Sequence, residues 1–182
     1  MRTREDVSET EVNELVSGLE LLLLDVDGVL TDGRIILTGA NSETKNFDVK
    51  DGMGITLAQR AGIDVGIVTG RVSEVVRRRA GELDIDQIYQ GYSRKKKALG
   101  EITEQTDLST SEMAFVGDDV PDLAIMNEVG LSLAPGDAHP AVRKSSLLTM
   151  ESNGGDGAIR EAVDYFLELR EQKEKVYNSF SR

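Results

Sequence analysis

Apolar residues in this chain follow two rhythms. Four consecutive leucines, Leu21 to Leu24, lie between acidic residues. The run is too short for a membrane span and has the character of a strand buried on both faces. Similar short runs recur at 64–68, 87–89, 113–116 and 130–133. Between them the apolar positions fall at helical spacing and predict helices near 54–61, 72–80, 93–106 (with Ser93 as cap) and 121–128. A last helix, 157–172, carries Ile159, Val163, Phe166 and Leu167 on one face, then turns charged. Ahead of the first strand, Ser8-Glu9-Thr10-Glu11 reads as a capping box opening a helix with Val12, Leu15, Val16 and Leu19 on one side. Strands alternating with helices over short linkers predict an α/β fold, a doubly wound parallel sheet. One segment breaks the rhythm. Extended runs at 34–38 and 43–48 flank Gly39-Ala40-Asn41-Ser42, which predicts a β-hairpin inserted after the first strand. With no repeat or low-complexity segment, residues 1–182 are expected to form a single domain, the hairpin 34–48 being its insert.

Composition narrows the chemistry. A chain of 182 residues, 39% hydrophobic and 30% charged, can bury a real core. Its net charge of −12 argues against unassisted binding to nucleic acid or anionic membranes, which rely on basic patches. A small anionic substrate is still compatible, because a local cluster overrides the global field. The absence of cysteine removes disulfides and thiolate metal sites, and a single histidine removes a histidine-rich one. Residues 1–20 are charged and interrupted, without the apolar core of a signal peptide, so a cytoplasmic location is expected.

The candidate chemistry lies at strand ends. Asp25 and Asp27 stand two positions apart as the leucine strand emerges, so both side chains leave on one face. Ligands of open α/β sheets bind outside the carboxyl ends of the strands. Two like charges there call for a cation, and a hard divalent ion such as Mg²⁺ is the simplest. For the pair alone, a strand end followed by an Asp-Gly turn is an equal reading.

Further along come Val65-Gly66-Ile67-Val68-Thr69-Gly70-Arg71, then Gln90-Gly91-Tyr92-Ser93-Arg94-Lys95, then Gly117-Asp118-Asp119-Val120-Pro121-Asp122. With Asp25-x-Asp27-x-Val29-Leu30-Thr31 in front, this ordered set resembles the four motifs of the haloacid dehalogenase (HAD) phosphohydrolases. The resemblance implies a HAD-like Rossmannoid fold. It gives Asp25 the role of nucleophile, through an aspartyl-phosphate, and Asp27 that of general acid and then base. It places Mg²⁺ on Asp25, the backbone carbonyl of Asp27 and Asp118, with Asp119 completing the surroundings of the metal. The metal is needed because a carboxylate cannot approach a phosphate dianion until charge is neutralised. Thr69 would donate its hydroxyl to a phosphoryl oxygen. Lys95 would pair with the phosphoryl group and the nucleophile; its spacing from Gln90-Gly91 favours it over Lys96 and Lys97, although a triple lysine ordinarily marks a solvated helix face. Asp122 would orient the loop or a lysine, with a plain helix N-terminal role weighing as much. Gly28 and Gly70 would let the backbone approach the phosphate, or simply serve turns.

About 40 residues separate Asp27 from Thr69, and the later gaps are shorter still, so no cap domain fits between the motifs. A capless member acts on a large substrate or borrows a lid from a neighbour. From Leu21 to Leu169 the chain is similar to the 3-deoxy-D-manno-octulosonate 8-phosphate (KDO 8-phosphate) phosphatase family. Beyond the general motifs, the likeness rests on Phe47-x3-Asp51-Gly52-x-Gly54-Ile55, Ala138-His139-Pro140 and Gly154-Gly-x-Gly157-Ala-Ile-Arg160-Glu161. It implies a Mg²⁺-dependent phosphomonoesterase acting on a 2-keto-3-deoxy sugar acid phosphate, upstream of lipopolysaccharide assembly in the eight-carbon case. It also implies a homotetramer with residues 34–48 at the interface and each active site closed by a neighbouring subunit. Phosphatases for nine-carbon KDN or N-acylneuraminate 9-phosphates share nearly the same motifs, and a non-catalytic oligomerisation module of the same fold is a further alternative. Arg71 is expected to hold the substrate carboxylate or a hydroxyl. Asp51 and Gly52, at the end of the insert, are expected to face substrate. Arg78 and Arg160 are weaker candidates, each weighed equally against a structural ion pair. His139 is taken as structural. The charged end, 171–182, has no pattern to place it, although tails in this family can fold over an active site.

Overall fold

The leucine run becomes an interior strand of a seven-stranded sheet. The computed structural model describes residues 1–39 and 42–181. Its elements in chain order begin β1 (Arg2–Thr3), α1 (Glu9–Ser17), β2 (Leu21–Leu24), β3 (Ile36–Gly39), β4 (Ser42–Thr44), α2 (Val49–Arg60), β5 (Asp64–Thr69), α3 (Glu74–Glu82) and β6 (Gln87–Gln90). They continue α4 (Lys95–Thr106), β7 (Met113–Val116), α5 (Leu123–Met126), β8 (Leu131–Ala134), α6 (Pro140–Ser145), β9 (Leu148–Thr149), α7 (Ala158–Leu169) and α8 (Lys173–Asn178). The sheet order is β1-β9-β8-β7-β2-β5-β6, parallel except for the β1–β9 pair at one edge.

All four leucines are fully buried because helices cover both faces. Leu22 and Leu24 join the core formed with α1, α2, α3 and α7, whereas Leu21 and Leu23 join the one formed with α4, α5 and α6. Each such side chain contributes about 1.5–3 kcal/mol through burial. This is the doubly wound arrangement expected from the alternation.

Register brings the motifs together. Leu24 lies beside Val116 on one side and Ile67 on the other. Asp25 and Gly117-Asp118, which follow β2 and β7, and Thr69, the last residue of β5, therefore emerge side by side at the carboxyl edge. The Asp25 N–H donates to the Val116 carbonyl at 3.0 Å and carries the ladder one residue further.

Several expectations shift. The expected hairpin is β3 and β4, antiparallel, with Ala40 and Asn41 of its turn outside the described residues. Helix α2 starts at Val49 rather than near 54, because the Asp48 carboxylate caps it by accepting from the Lys50 N–H at 2.7 Å. Ser93 does not cap α4; Arg94 holds that position without a side-chain bond. The unplaced tail forms α8. Beyond it, Arg60 stacks 3.5 Å over the Phe180 ring and donates to Ser179 Oγ at 2.8 Å. The tail therefore packs at the end of α2, on the edge of the sheet opposite its own Asp25. Among the described residues, no helix is long and apolar enough to cross a membrane.

Candidate active site

The end of the leucine strand carries a buried charge cluster. Lys95, the first residue of α4, reaches back under the strand ends to place Nζ 2.9 Å from Asp25 Oδ1 and in contact with Asp122 Oδ1. Asp122 Oδ2 accepts from the N–H groups of Asp118 (3.0 Å) and Asp119 (3.2 Å), fixing the loop that follows β7. Asp122 thus orients both the lysine and the loop. Carboxylate oxygens of Asp25, Asp118 and Asp122 come within 4.8 Å of one another.

The electrostatics are unbalanced. Burial, only partly offset by Lys95 and reinforced by Asp122, raises the Asp25 carboxyl to about 6. Burial together with the neighbouring Asp25 and Asp122 raises Asp118 to about 7. Burial disfavours the Lys95 ammonium, but its two carboxylate partners outweigh that and hold its pKa above the ordinary lysine value. With all three carboxylates ionised, the one ammonium would leave two negative charges uncompensated in a site closed to most solvent, which is why both pKa values rise. Asp118 Oδ1 is buried and has no hydrogen-bond partner. An orphaned carboxylate oxygen beside Asp25, with all-oxygen donors, fits a hard divalent cation. Both Asp122 oxygens are engaged by protein, which leaves Asp25 and Asp118 as the side chains free to hold it.

Close backbone packing makes room for this. Gly28 has φ +90°, and a Cβ there would overlap the Asp118 carboxylate. The Gly154-Gly155 turn lies against the same loop, with the Gly155 N–H donating to the Val29 carbonyl at 2.9 Å. A Cβ on Gly155 would stand 2.5 Å from the Thr31 carbonyl carbon, so only glycine permits the approach.

A second network surrounds Asp27, and the sequence reading missed half of it. Lys45, just past β4, is buried and contacts Asp27 Oδ1. Arg71 places Nε 3.7 Å from Asp27 Oδ2 and Nη2 2.8 Å from Glu43 Oε2. Thr69 is buried at the end of β5, and Gly70 is exposed with space around it.

Four expectations are corrected. Asp51 does not face substrate: it is 1% exposed and accepts from the N–H groups of Gly157 (3.2 Å), Ile159 (2.9 Å) and Arg160 (3.1 Å), capping α7. Burial raises its pKa against the pull of those donors. Gly52 points at Arg79, whose guanidinium occupies the space a side chain would need. Arg78 lies on the solvent side of α3 and pairs with Glu82 at 3.3 Å, one turn away. Asp119 is exposed and caps its own turn, accepting from the Val120 N–H at 2.8 Å, so it stands outside the acidic cluster. Arg160 pairs with Asp164 (3.0 Å) and Tyr177 (3.1 Å), and His139 caps α6.

Parallel strands that deliver paired aspartates, a threonine, a lysine and an acidic loop to one edge define a HAD-like hydrolase, and a family model described as haloacid dehalogenase-like hydrolase matches residues 85–162. The 3-deoxy-D-manno-octulosonate 8-phosphate phosphatase of Salmonella typhi is 40% identical over 158 residues, 87% of this chain and 84% of its own. The Moraxella catarrhalis phosphatase of that name, solved with magnesium ion, phosphate ion and KDO, superposes with a TM-score of 0.90 at 35% identity over 95% of this chain and 99% of its own. A cobalt-bound form of the Haemophilus influenzae enzyme gives 0.83 at 34% identity, over 87% and 93%. The chain belongs to the KDO 8-phosphate phosphatase family, and is a phosphoric monoester hydrolase of the HAD type.

Proposed function

We propose that this chain hydrolyses KDO 8-phosphate, releasing KDO and inorganic phosphate through a phosphorylated Asp25. The orphaned Asp118 Oδ1 beside the Lys95-paired nucleophile carries this reading, since it marks a buried, uncompensated site for cation and phosphate together. Asp25 and Asp118 would hold Mg²⁺ with the Asp27 carbonyl. A bound Mg²⁺ supplies the neutralisation that lets a carboxylate approach a phosphate dianion. Lys95 holds Asp25 Oδ1, so the carboxylate is fixed for in-line attack on phosphorus. As the bond from phosphorus to the C8 oxygen breaks, Asp27 gives its proton to the departing alkoxide. Water then attacks the phosphorus of the aspartyl-phosphate, Asp27 takes the water proton, and the Asp25 carboxylate is restored. The Thr69 hydroxyl, buried beside the strand end, holds a phosphoryl oxygen through both steps.

A single folded domain with a borrowed lid completes the reading. Ile35, Leu37, Val49 and Val72 are 54%, 73%, 79% and 71% exposed on and around the hairpin. Exposed apolar side chains of this kind support burial against other copies of the chain, in a homotetramer whose neighbours close each site. Arg71 near the rim would then meet the keto-acid carboxylate after exchanging Glu43 for it. Rapid quench of ³²P-labelled substrate tests the chemistry. A hydroxylamine-labile label on the peptide containing Asp25 is the expected result, and a label on any other residue, or direct transfer to water, contradicts it.

A further inference from the structure

We propose that Lys45 is a positioning residue for the acid–base group: its ammonium pins Asp27 Oδ1, so that Oδ2 is the oxygen that exchanges a proton with leaving group and water. This rests on reading Asp27 as the acid and base. A lysine with a 2% exposed side chain is rare and demands a partner. The partner here is not an equally buried structural carboxylate but Asp27, whose side chain is 21% exposed and stands two residues from the nucleophile. Lys45 Nζ also lies 3.9 Å from Glu43 Oε2, and Glu43 in turn binds Arg71. Both cations therefore converge on one carboxylate from different segments, Lys45 from just past β4 and Arg71 from the turn after β5.

An aspartate turns freely about two side-chain torsions, and in a site with a divalent cation its carboxylate would be drawn toward the metal. Fixing Oδ1 on Lys45 keeps the group on the leaving-group side, and a misplacement of about 1 Å in such a group lowers rate by about a hundredfold. The arrangement ties the seating of the hairpin to the chemical step.

The alternative role for Lys45 is an anchor for the hairpin. Leaving-group dependence separates the two, because an acid matters for a poor leaving group and little for a good one. The rates to compare are those for phenyl phosphate and p-nitrophenyl phosphate, with wild type, Lys45→Met, Lys45→Gln and Asp27→Asn, in saturating Mg²⁺. We expect Lys45→Met to lose about ten- to a hundredfold more in kcat on phenyl phosphate than on p-nitrophenyl phosphate, with KM moving less than about threefold. Lys45→Gln, which keeps a donor, should lose less, and Asp27→Asn should show the same selectivity in stronger form. A misfolded or loosened variant lowers both rates alike. Equal losses on the two esters, or none, would overturn the proposal. If Asp27→Asn is selective and Lys45→Met is not, only the role of Lys45 fails. If Asp27→Asn shows no selectivity, the acid–base reading of Asp27 fails, and the role of Lys45 with it.

Discussion

Lys95 Nζ stands 2.9 Å from Asp25 Oδ1 with both side chains almost closed to solvent, at 6% and 10% exposure. The pair ties the start of α4 to the end of β2, and Asp122 shares the same ammonium. Removing the cation leaves buried carboxylates facing one another. Lys95→Met should therefore destabilise the protein by about 3–5 kcal/mol in urea unfolding and abolish turnover. Lys96 pairs with Glu128 at the surface, and Lys96→Met should change stability by about 1 kcal/mol or less. Equal effects of the two substitutions would remove Lys95 from the site.

Asp25→Asn keeps the shape of the side chain and removes the nucleophile. Phosphate release should fall by at least about 10⁴-fold, with the size of the assembly and the far-UV spectrum unchanged. Turnover close to wild type would assign the attack to another group.

Which residues the sequence disclosed follows from how each is held. Asp25, Thr69 and Asp118 sit at or within two residues of the ends of strands whose apolar runs are unmistakable, so their convergence follows from parallel register alone. The hairpin was legible for the same reason, as two extended runs that no helix could use. Asp51 misled because its carboxylate turns away to α7, more than 100 residues on in sequence, and nothing local reports that. Asp119 and Asp122 are three apart in one acidic loop, and only the fold shows that the later one turns inward. Arg78 and Arg79 are adjacent in an arginine run, where helical phase sets one toward Gly52 and the other toward water. Lys45 is a single lysine in a polar stretch and carried no signal. Strands β1 and β9, of two residues each, are too short for any periodicity.

Glu161 links pH to the loop that supports the site. Burial opposes its ionisation, but the N–H groups of Glu151 and Ser152 and the terminal ammonium of Met1 overcome that and hold its pKa at about 2, below the ordinary 4.5. A carboxyl with a depressed folded pKa stabilises the fold above its unfolded value, and that stability fades as pH falls from about 4.5 towards 2. Glu161→Gln should have a lower Tm than wild type at pH 7, and the gap should close through that acidic window. A gap independent of pH would show that the charge is not what the loop uses.

The exposed apolar hairpin predicts a dependence of affinity on assembly. Leu37→Asp puts a charge on a residue that is 73% exposed in the single chain. Sedimentation should show smaller species, and KM should rise by about tenfold or more through loss of the borrowed lid, an effect of about 1.4 kcal/mol. Wild-type kcat/KM in a verified monomer would refute closure by a neighbour.

The most direct test of the whole account is phosphate release from KDO 8-phosphate, KDN 9-phosphate and N-acetylneuraminate 9-phosphate, each with Mg²⁺ and with chelator. The highest kcat/KM is expected for KDO 8-phosphate, with its loss when the metal is removed. A preference for a nine-carbon substrate, or turnover that survives chelation, would contradict it.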